Sequence, residues 1–241
     1  MIIKKREMPL SLKKLEALER RLPKKRPTVE VLARQMAGFK GELAIDFSLS
    51  FLPSEHYWFI HHKRKPLPIE ALVVMANERT IVRHASAASA SFSEKIIPCG
   101  RIPKYIINIE QTYIKAHYSE RELESLSELL LKQHQELDND ILKQFQIDRS
   151  EIISGVQCQV CSRYAMEWDR RRWQCPYCRF RMLNAHAKAL EDYSLLFSPT
   201  LSNRDARKFL HLTSPNYTKH ILQRCSKSFI GKTREKKYLL R

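Results

Sequence analysis

Cys158-Gln159-Val160-Cys161 is followed, after thirteen intervening residues, by Cys175-Pro176-Tyr177-Cys178. Two C-x2-C knuckles at this separation are what a four-thiolate zinc ribbon needs. Each knuckle turns tightly enough to aim two sulfurs at one ion, and the residues between form a short hairpin that brings the knuckles together. The competing readings are a pair of disulfides and a C-x-x-C redox motif. Redox motifs come singly beside a βαβ unit, and none is visible in the sequence. Disulfide scaffolds belong to short secreted chains. The start, Met1-Ile2-Ile3-Lys4-Lys5-Arg6, lacks the apolar segment of a signal peptide, so the expected location is cytoplasmic. Cys158, Cys161, Cys175 and Cys178 are therefore the expected zinc ligands. A closed shell of four thiolates leaves no open coordination position, which makes the expected zinc structural.

Composition bounds the partners. At 241 residues and 43% hydrophobic, the chain is long enough for one or two domains plus a small module. No apolar run approaches the length of a membrane span, so no membrane partner is expected. The net charge of +17 points to a polyanion, most often nucleic acid. The charge is not evenly spread. Residues 1–26 carry a balance of +7, residues 156–185 carry +4 and residues 201–241 carry +9, whereas residues 117–153 carry −5. A charge run is usually a solvated face. Three basic segments, one of them the ribbon, favour DNA as the partner.

Upstream of the ribbon, Leu12, Leu15, Leu18 and Leu22 recur at helical spacing, which predicts an amphipathic helix over 10–22. A second helix is predicted from Pro27 to about Leu52. Gly38 and Gly41 lie inside it, at a cost of roughly 1 kcal/mol each relative to alanine. That cost marks either a close approach or a break. Strands are predicted at Tyr57–His61 and Ala71–Ala76, with weaker ones at Thr80–Val82 and Lys95–Pro98. Helices follow at Ile102–Lys115, from the capping box Ser119-Glu120-Arg121-Glu122 to about His134, and at Asp140–Phe145.

Downstream, a helix is predicted over Asn184–Phe197. Ser202 caps a short helix reaching Leu210, and Ser214-Pro215 opens another, Asn216–Arg224. Two short helices joined by a tight turn, the second one basic, have the form of a helix-turn-helix. Gly231 and Lys236-Lys237-Tyr238-Leu239-Leu240 are placed to form a small wing. Within the ribbon, Arg170, Arg171 and Arg172 lie between Trp168 and Trp173, a cluster suited to phosphate contact and base stacking. For Trp173 a hydrophobic brace is an equal alternative. Cys99 and Cys225 read as plain thiols. His61 and His62, neighbours on a predicted strand, point to opposite faces and do not share an ion.

Three stretches resemble nuclease-related domain (NERD) proteins with a C-terminal zinc ribbon. They are Ala37-Gly38-Phe39-Lys40-Gly41-Glu42 running into Asp46-Phe47 and Pro53, then Leu67-Pro68-Ile69-Glu70-Ala71-Leu72-Val73-Val74-Met75-Ala76-Asn77, and lastly Gly155–Cys158 through Phe197 and Asn203. The resemblance implies a restriction-endonuclease-like fold, in which an Asp on one strand and a Glu-x-Lys on the next bind Mg²⁺ and poise water for phosphodiester attack. This chain departs from it at the decisive place. Only His62-Lys63-Arg64-Lys65 stands where the family has its Asp and Glu-x-Lys strands. The single acid-x-Lys, Glu235-Lys236-Lys237, lies in the basic tail. Glu42 matches a family helix acid and is the one candidate catalytic remnant. Alone it does not hold a catalytic Mg²⁺.

The expected fold is therefore α+β, with a helical N-terminus and a small, incomplete restriction-endonuclease-like core. The segments are 1–116 for the NERD-like part, 117–154 for a helical connector, 155–182 for the ribbon and 183–241 for the basic helix-turn-helix-like part. The expected function is zinc-stabilised DNA binding with the nuclease core lost, through Arg170, Arg171, Arg172, Lys219, Arg224, Lys236 and Lys237. Two other readings stay open. One is a Mg²⁺- or Mn²⁺-dependent nuclease, completed by a partner chain. The other is a protein-interaction adaptor.

Overall fold

In the computed structural model, residues 6–23, 28–52, 71–77, 79–80, 95–112, 119–232 and 236–240 are described. The protein is a mixed α+β chain with small sheets. It divides into two compact units, Met1–Met8 with Ala33–Glu136, and Pro9–Leu32 with Leu137–Arg241. The predicted strand at Tyr57–His61, the histidine pair and Glu235 lie outside the described residues, as does most of Thr80–Val82.

The first unit contains most of helix α2 (Thr28–Leu49), strands β1 (Val73–Met75) and β2 (Ile96–Pro98), helix α3 (Ile102–Glu110) and helix α4 (Glu120–Gln133). β1 and β2 pair in parallel, Val73 opposite Ile96. Leu49, Leu52, Ile97, Cys99 and Ile102 form its small core, with Val74, Tyr105 and Ile106 against it. α2 runs unbroken through both glycines. Of the two alternatives, Gly41 shows the close approach: a Cβ there would stand 3.1 Å from the Ala76 methyl, whereas Gly38 faces open space. The capping box at the start of α4 is complete. The Ser119 hydroxyl accepts from the Glu122 backbone, and the Glu122 carboxylate accepts from the Ser119 amide.

The second unit begins with helix α1 (Leu10–Arg21), whose predicted stripe is buried, with Leu12, Leu15 and Leu18 each at most 2% exposed. The short helix α5 (Ile141–Gln144) packs on it, and α1 lies along helix α6 (Ala185–Leu196). Pro9–Leu32 is thus grouped with the ribbon-containing half, whereas the sequence segments put it with residues 1–116. Arg21, the last residue of α1, is 1% exposed. Its Nε donates to Asp192 on α6 at 2.8 Å, and its Nη1 donates to the carbonyls of Ile153 and Gly155. The guanidinium lies over the rings of Tyr164 and Phe209.

The ribbon is a three-stranded antiparallel sheet of β3 (Glu167–Asp169), β4 (Arg172–Gln174) and β5 (Arg181–Met182), in that order. After α6 come β6 (Thr200–Ser202), α7 (Asn203–Leu210), α8 (Pro215–Cys225), β7 (Ser226–Ile230) and β8 (Lys237–Leu240). The last three strands form an antiparallel sheet in the order β6-β8-β7. The Ser202 hydroxyl caps α7 and the Ser214 hydroxyl caps α8, with Pro215 at the first helical position. His211 ends α7 in the left-handed region, φ 57°, which lets the chain reverse in four residues.

The ribbon and the C-terminal helices share one core. Val156, Cys158, Met166 and Trp173 are buried together with Leu190, Leu201, Ala206, Leu210, Ile221, Leu222 and Tyr238. The entry to the ribbon is tied to α7 by Gly155, whose amide donates to the Phe209 carbonyl. Gly155 has φ +95°, and a Cβ there would stand 3.1 Å from the Tyr164 carbonyl oxygen. Both conditions select glycine.

Candidate metal centre and basic cleft

The two knuckles are built alike. In the first, the Ser162 amide donates to the Cys158 carbonyl and the Cys158 amide donates to the Arg163 carbonyl, both at 2.9 Å. In the second, Arg179 donates to Cys175 and Cys175 donates to Phe180, again at 2.9 Å. The residue after each second cysteine is left-handed, Ser162 at φ 58° and Arg179 at φ 60°. This repeated turn aims both sulfurs of a knuckle to the same side.

All four sulfurs lie within 4.8 Å of one another. The Cys158–Cys178 and Cys161–Cys175 pairs are 3.5 Å apart. A regular tetrahedron with metal–sulfur bonds of about 2.3 Å has edges of about 3.8 Å, so the cluster is compatible with a zinc site. The backbone amide of Cys178, with that of Tyr177 and neighbouring sulfurs, draws the Cys175 thiol down to about 6. The Phe180 amide favours a thiolate at Cys178, but partial desolvation and the three other sulfurs outweigh it and push Cys178 up to about 12. Four sulfurs this close do not all ionise against one another. A bound dication removes that conflict.

Trp173 is fully buried and acts as a brace rather than a stacking platform. Its ring meets Trp168 edge to face across β3 and β4, centroids 5.5 Å apart. Its Nε1 donates to Nδ1 of His186 at 2.9 Å, which requires His186 to carry its proton on Nε2. Burial first, then Arg224, lowers the His186 pKa from 6.5 to about 4. The unfolded state therefore binds the proton that the folded state refuses, and stability falls as pH drops from about 6.5 to about 4. The expected loss is roughly 2–3 kcal/mol. Urea unfolding of zinc-loaded protein checks it, with His186→Gln expected to flatten the pH profile over that window.

The ribbon hairpin and α8 enclose a cleft of about 780 Å³. Trp168 and Arg171 come from the hairpin, Leu183, Asn184 and Ala187 from the start of α6, and Tyr217, His220 and Arg224 from α8. Trp168 and Tyr217 stack, centroids 4.2 Å apart and planes 27° from parallel. Burial pushes the Tyr217 hydroxyl up to about 12, with Arg224 opposing.

Two of the seven expected DNA-binding residues, Arg171 and Arg224, thus meet at one cleft. Arg170 and Arg172 are exposed on the same hairpin, Lys219 on α8 and Lys237 on β8. Lys236 is half-buried, its Nζ 3.6 Å from the Phe229 ring centre. Arg170 and Arg171, φ 42° and 69°, are the two central residues of the β3–β4 turn. That turn ordinarily calls for Asn-Gly, and its left-handed geometry disfavours side chains by about 1–2 kcal/mol per residue.

Glu42 lies in the first unit. Its carboxylate accepts from Arg6 Nη1 at 2.6 Å, and the Arg6 Nε donates to Asp46 one turn further along α2. Among the described residues, the group of three or more potential metal-binding side chains is the four cysteines. The sequence does not mark His186, Tyr217, His220 or Asn184 as site residues. The one signal in the sequence is the spacing of Tyr217, His220 and Arg224, which share a face of α8. No helix among the described residues is long and apolar enough to cross a membrane. No family model, curated protein or solved structure matches this chain.

Proposed function

We propose that this chain is a zinc-stabilised DNA-binding protein, related to the NERD proteins it resembles, that works without a nuclease centre of its own. The observation that carries this reading is the cleft where Arg171 of the ribbon and Arg224 of α8 line one cavity beside two stacked aromatic rings. A shared core fixes ribbon and helices to each other and so holds Arg171 and Arg224 in place about the cleft. In this reading α7 and α8 act as a helix-turn-helix, with α8 in the major groove and Lys219 on its free face. The β7–β8 hairpin serves as a wing bearing Lys236 and Lys237. Arg170, Arg171 and Arg172 hold the backbone at the flank. One Zn²⁺ on the four cysteines holds the hairpin in place.

The nuclease reading gains no support from Glu42, because a guanidinium already sits on both Glu42 and Asp46, where a divalent cation would need them.

Affinity of this kind is mainly electrostatic. Fluorescence anisotropy with a labelled duplex is expected to show binding that weakens about a thousandfold between about 50 and 200 mM salt. Lys219→Glu is expected to weaken binding to unrelated duplexes equally and to lower the salt slope by about 1. A flat salt response, or no binding at low salt, overturns the reading.

A further inference from the structure

We propose that the cleft between the ribbon hairpin and α8 seats an unpaired nucleotide, so that single-stranded DNA is held more tightly than an unbroken duplex. This rests on the DNA-binding reading and names the substrate within it. Three features of the cleft point the same way. First, its volume of about 780 Å³ accommodates a nucleotide, and its walls come from three elements locked by one core. Second, Trp168 and Tyr217 line it as a stacked pair, half-buried, which a planar base extends without regard to sequence. Third, Arg171 and Arg224 line it with those rings, as phosphate and base-face contacts to a strand require. The start of α6, where the Asn184 side chain makes no cap bond, adds the positive end of a helix to the same wall. A paired base is stacked on both faces within its duplex and does not reach such a recess.

The hairpin supplies a test that separates recognition from folding. Arg170 and Arg171 are both left-handed, so glycine suits either position better than arginine does. Of these two, Arg171 lines the cleft and Arg170 does not. Anisotropy is measured with a labelled dT12 and with a dT12·dA12 duplex, alongside quenching of tryptophan fluorescence. The wild type is expected to bind dT12 at least about tenfold more tightly than the duplex, with quenching by dT12. Arg171→Gly and Arg224→Gln are expected to remove that preference while leaving thermal stability intact. Arg170→Gly is expected to weaken both probes alike and to keep the preference. Equal affinity for the two probes, or a preference that survives Arg171→Gly and Arg224→Gln, overturns the inference and leaves duplex binding standing. Failure of both probes to bind overturns the DNA-binding reading with it.

Discussion

Stripping the metal from the four cysteines is expected to unfold the ribbon and, with it, much of the second unit. The reason lies in where the core is. In a free-standing ribbon, loss of metal costs only the ribbon. Here Val156, Cys158, Met166, Trp173 and Cys175 are buried in the same cluster as Leu201, Leu210 and Leu222. When the knuckles open, the Trp173 indole and its bond to His186 go with them, and the buried sides of α6 and α8 meet water. Structural zinc contributes about 10–16 kcal/mol in small zinc modules, comparable to the whole stability of a domain, about 5–15 kcal/mol. Purified protein is expected to carry one zinc per chain by elemental analysis. Chelation is expected to red-shift tryptophan emission, broaden the thermal transition and abolish DNA binding. Cys158→Ser and Cys175→Ser, at fully buried sulfurs, are expected to be harsher than Cys178→Ser at an exposed one. A metal-free protein with sharp unfolding, indifferent to chelator, would show that the cysteines hold no metal.

What the sequence makes legible follows from the range of the forces involved. The knuckles, the capping box at Ser119 and Glu122, and the caps at Ser202 and Ser214 are each satisfied within a few residues, and each is found where its pattern lies. The α1 stripe is equally local. The Arg-Arg turn is not legible, because its left-handed backbone is imposed by the strand pairing of β3 with β4 and not by its own residues. Thr218, a polar residue on α8, is fully buried, and its hydroxyl donates to the Ser214 carbonyl. His186 is hidden for the same kind of reason: its neutral state depends on Trp173 and on burial that only the assembled core provides. The fusion of ribbon and helices into one core is a long-range fact, invisible to a reading that divides the chain by motif.

The Arg21–Asp192 pair is the furthest-reaching of those long-range facts, and its disruption is the second large effect expected. The partners are 171 residues apart in sequence and 1% and 2% exposed. Asp192 also accepts from Arg20 at 2.8 Å, so one carboxylate answers two guanidiniums. Removing one member of a buried pair leaves the other charged and unpaired, at about 3–5 kcal/mol. Arg21→Met leaves Asp192 its bond from Arg20 but takes the donor from the carbonyls of Ile153 and Gly155, and is expected to cost about 2–4 kcal/mol in urea unfolding of the zinc-loaded protein. Asp192→Leu strands the buried Arg21 and leaves Arg20 only Glu16, so it is expected to be the more severe, at about 3–5 kcal/mol. The double variant is expected to recover only part of the loss. Arg20 still lacks its main partner, and the carbonyls of Ile153 and Gly155 still lack the Arg21 donor. Those carbonyls belong to the segment that leads into the first knuckle, so the clamp also bears on the metal. Release of zinc to a chelator is expected to quicken in Arg21→Met even under conditions where the protein stays folded. A loss below about 1 kcal/mol, with unchanged zinc release, would mean that α1 merely covers the core and does not brace the ribbon.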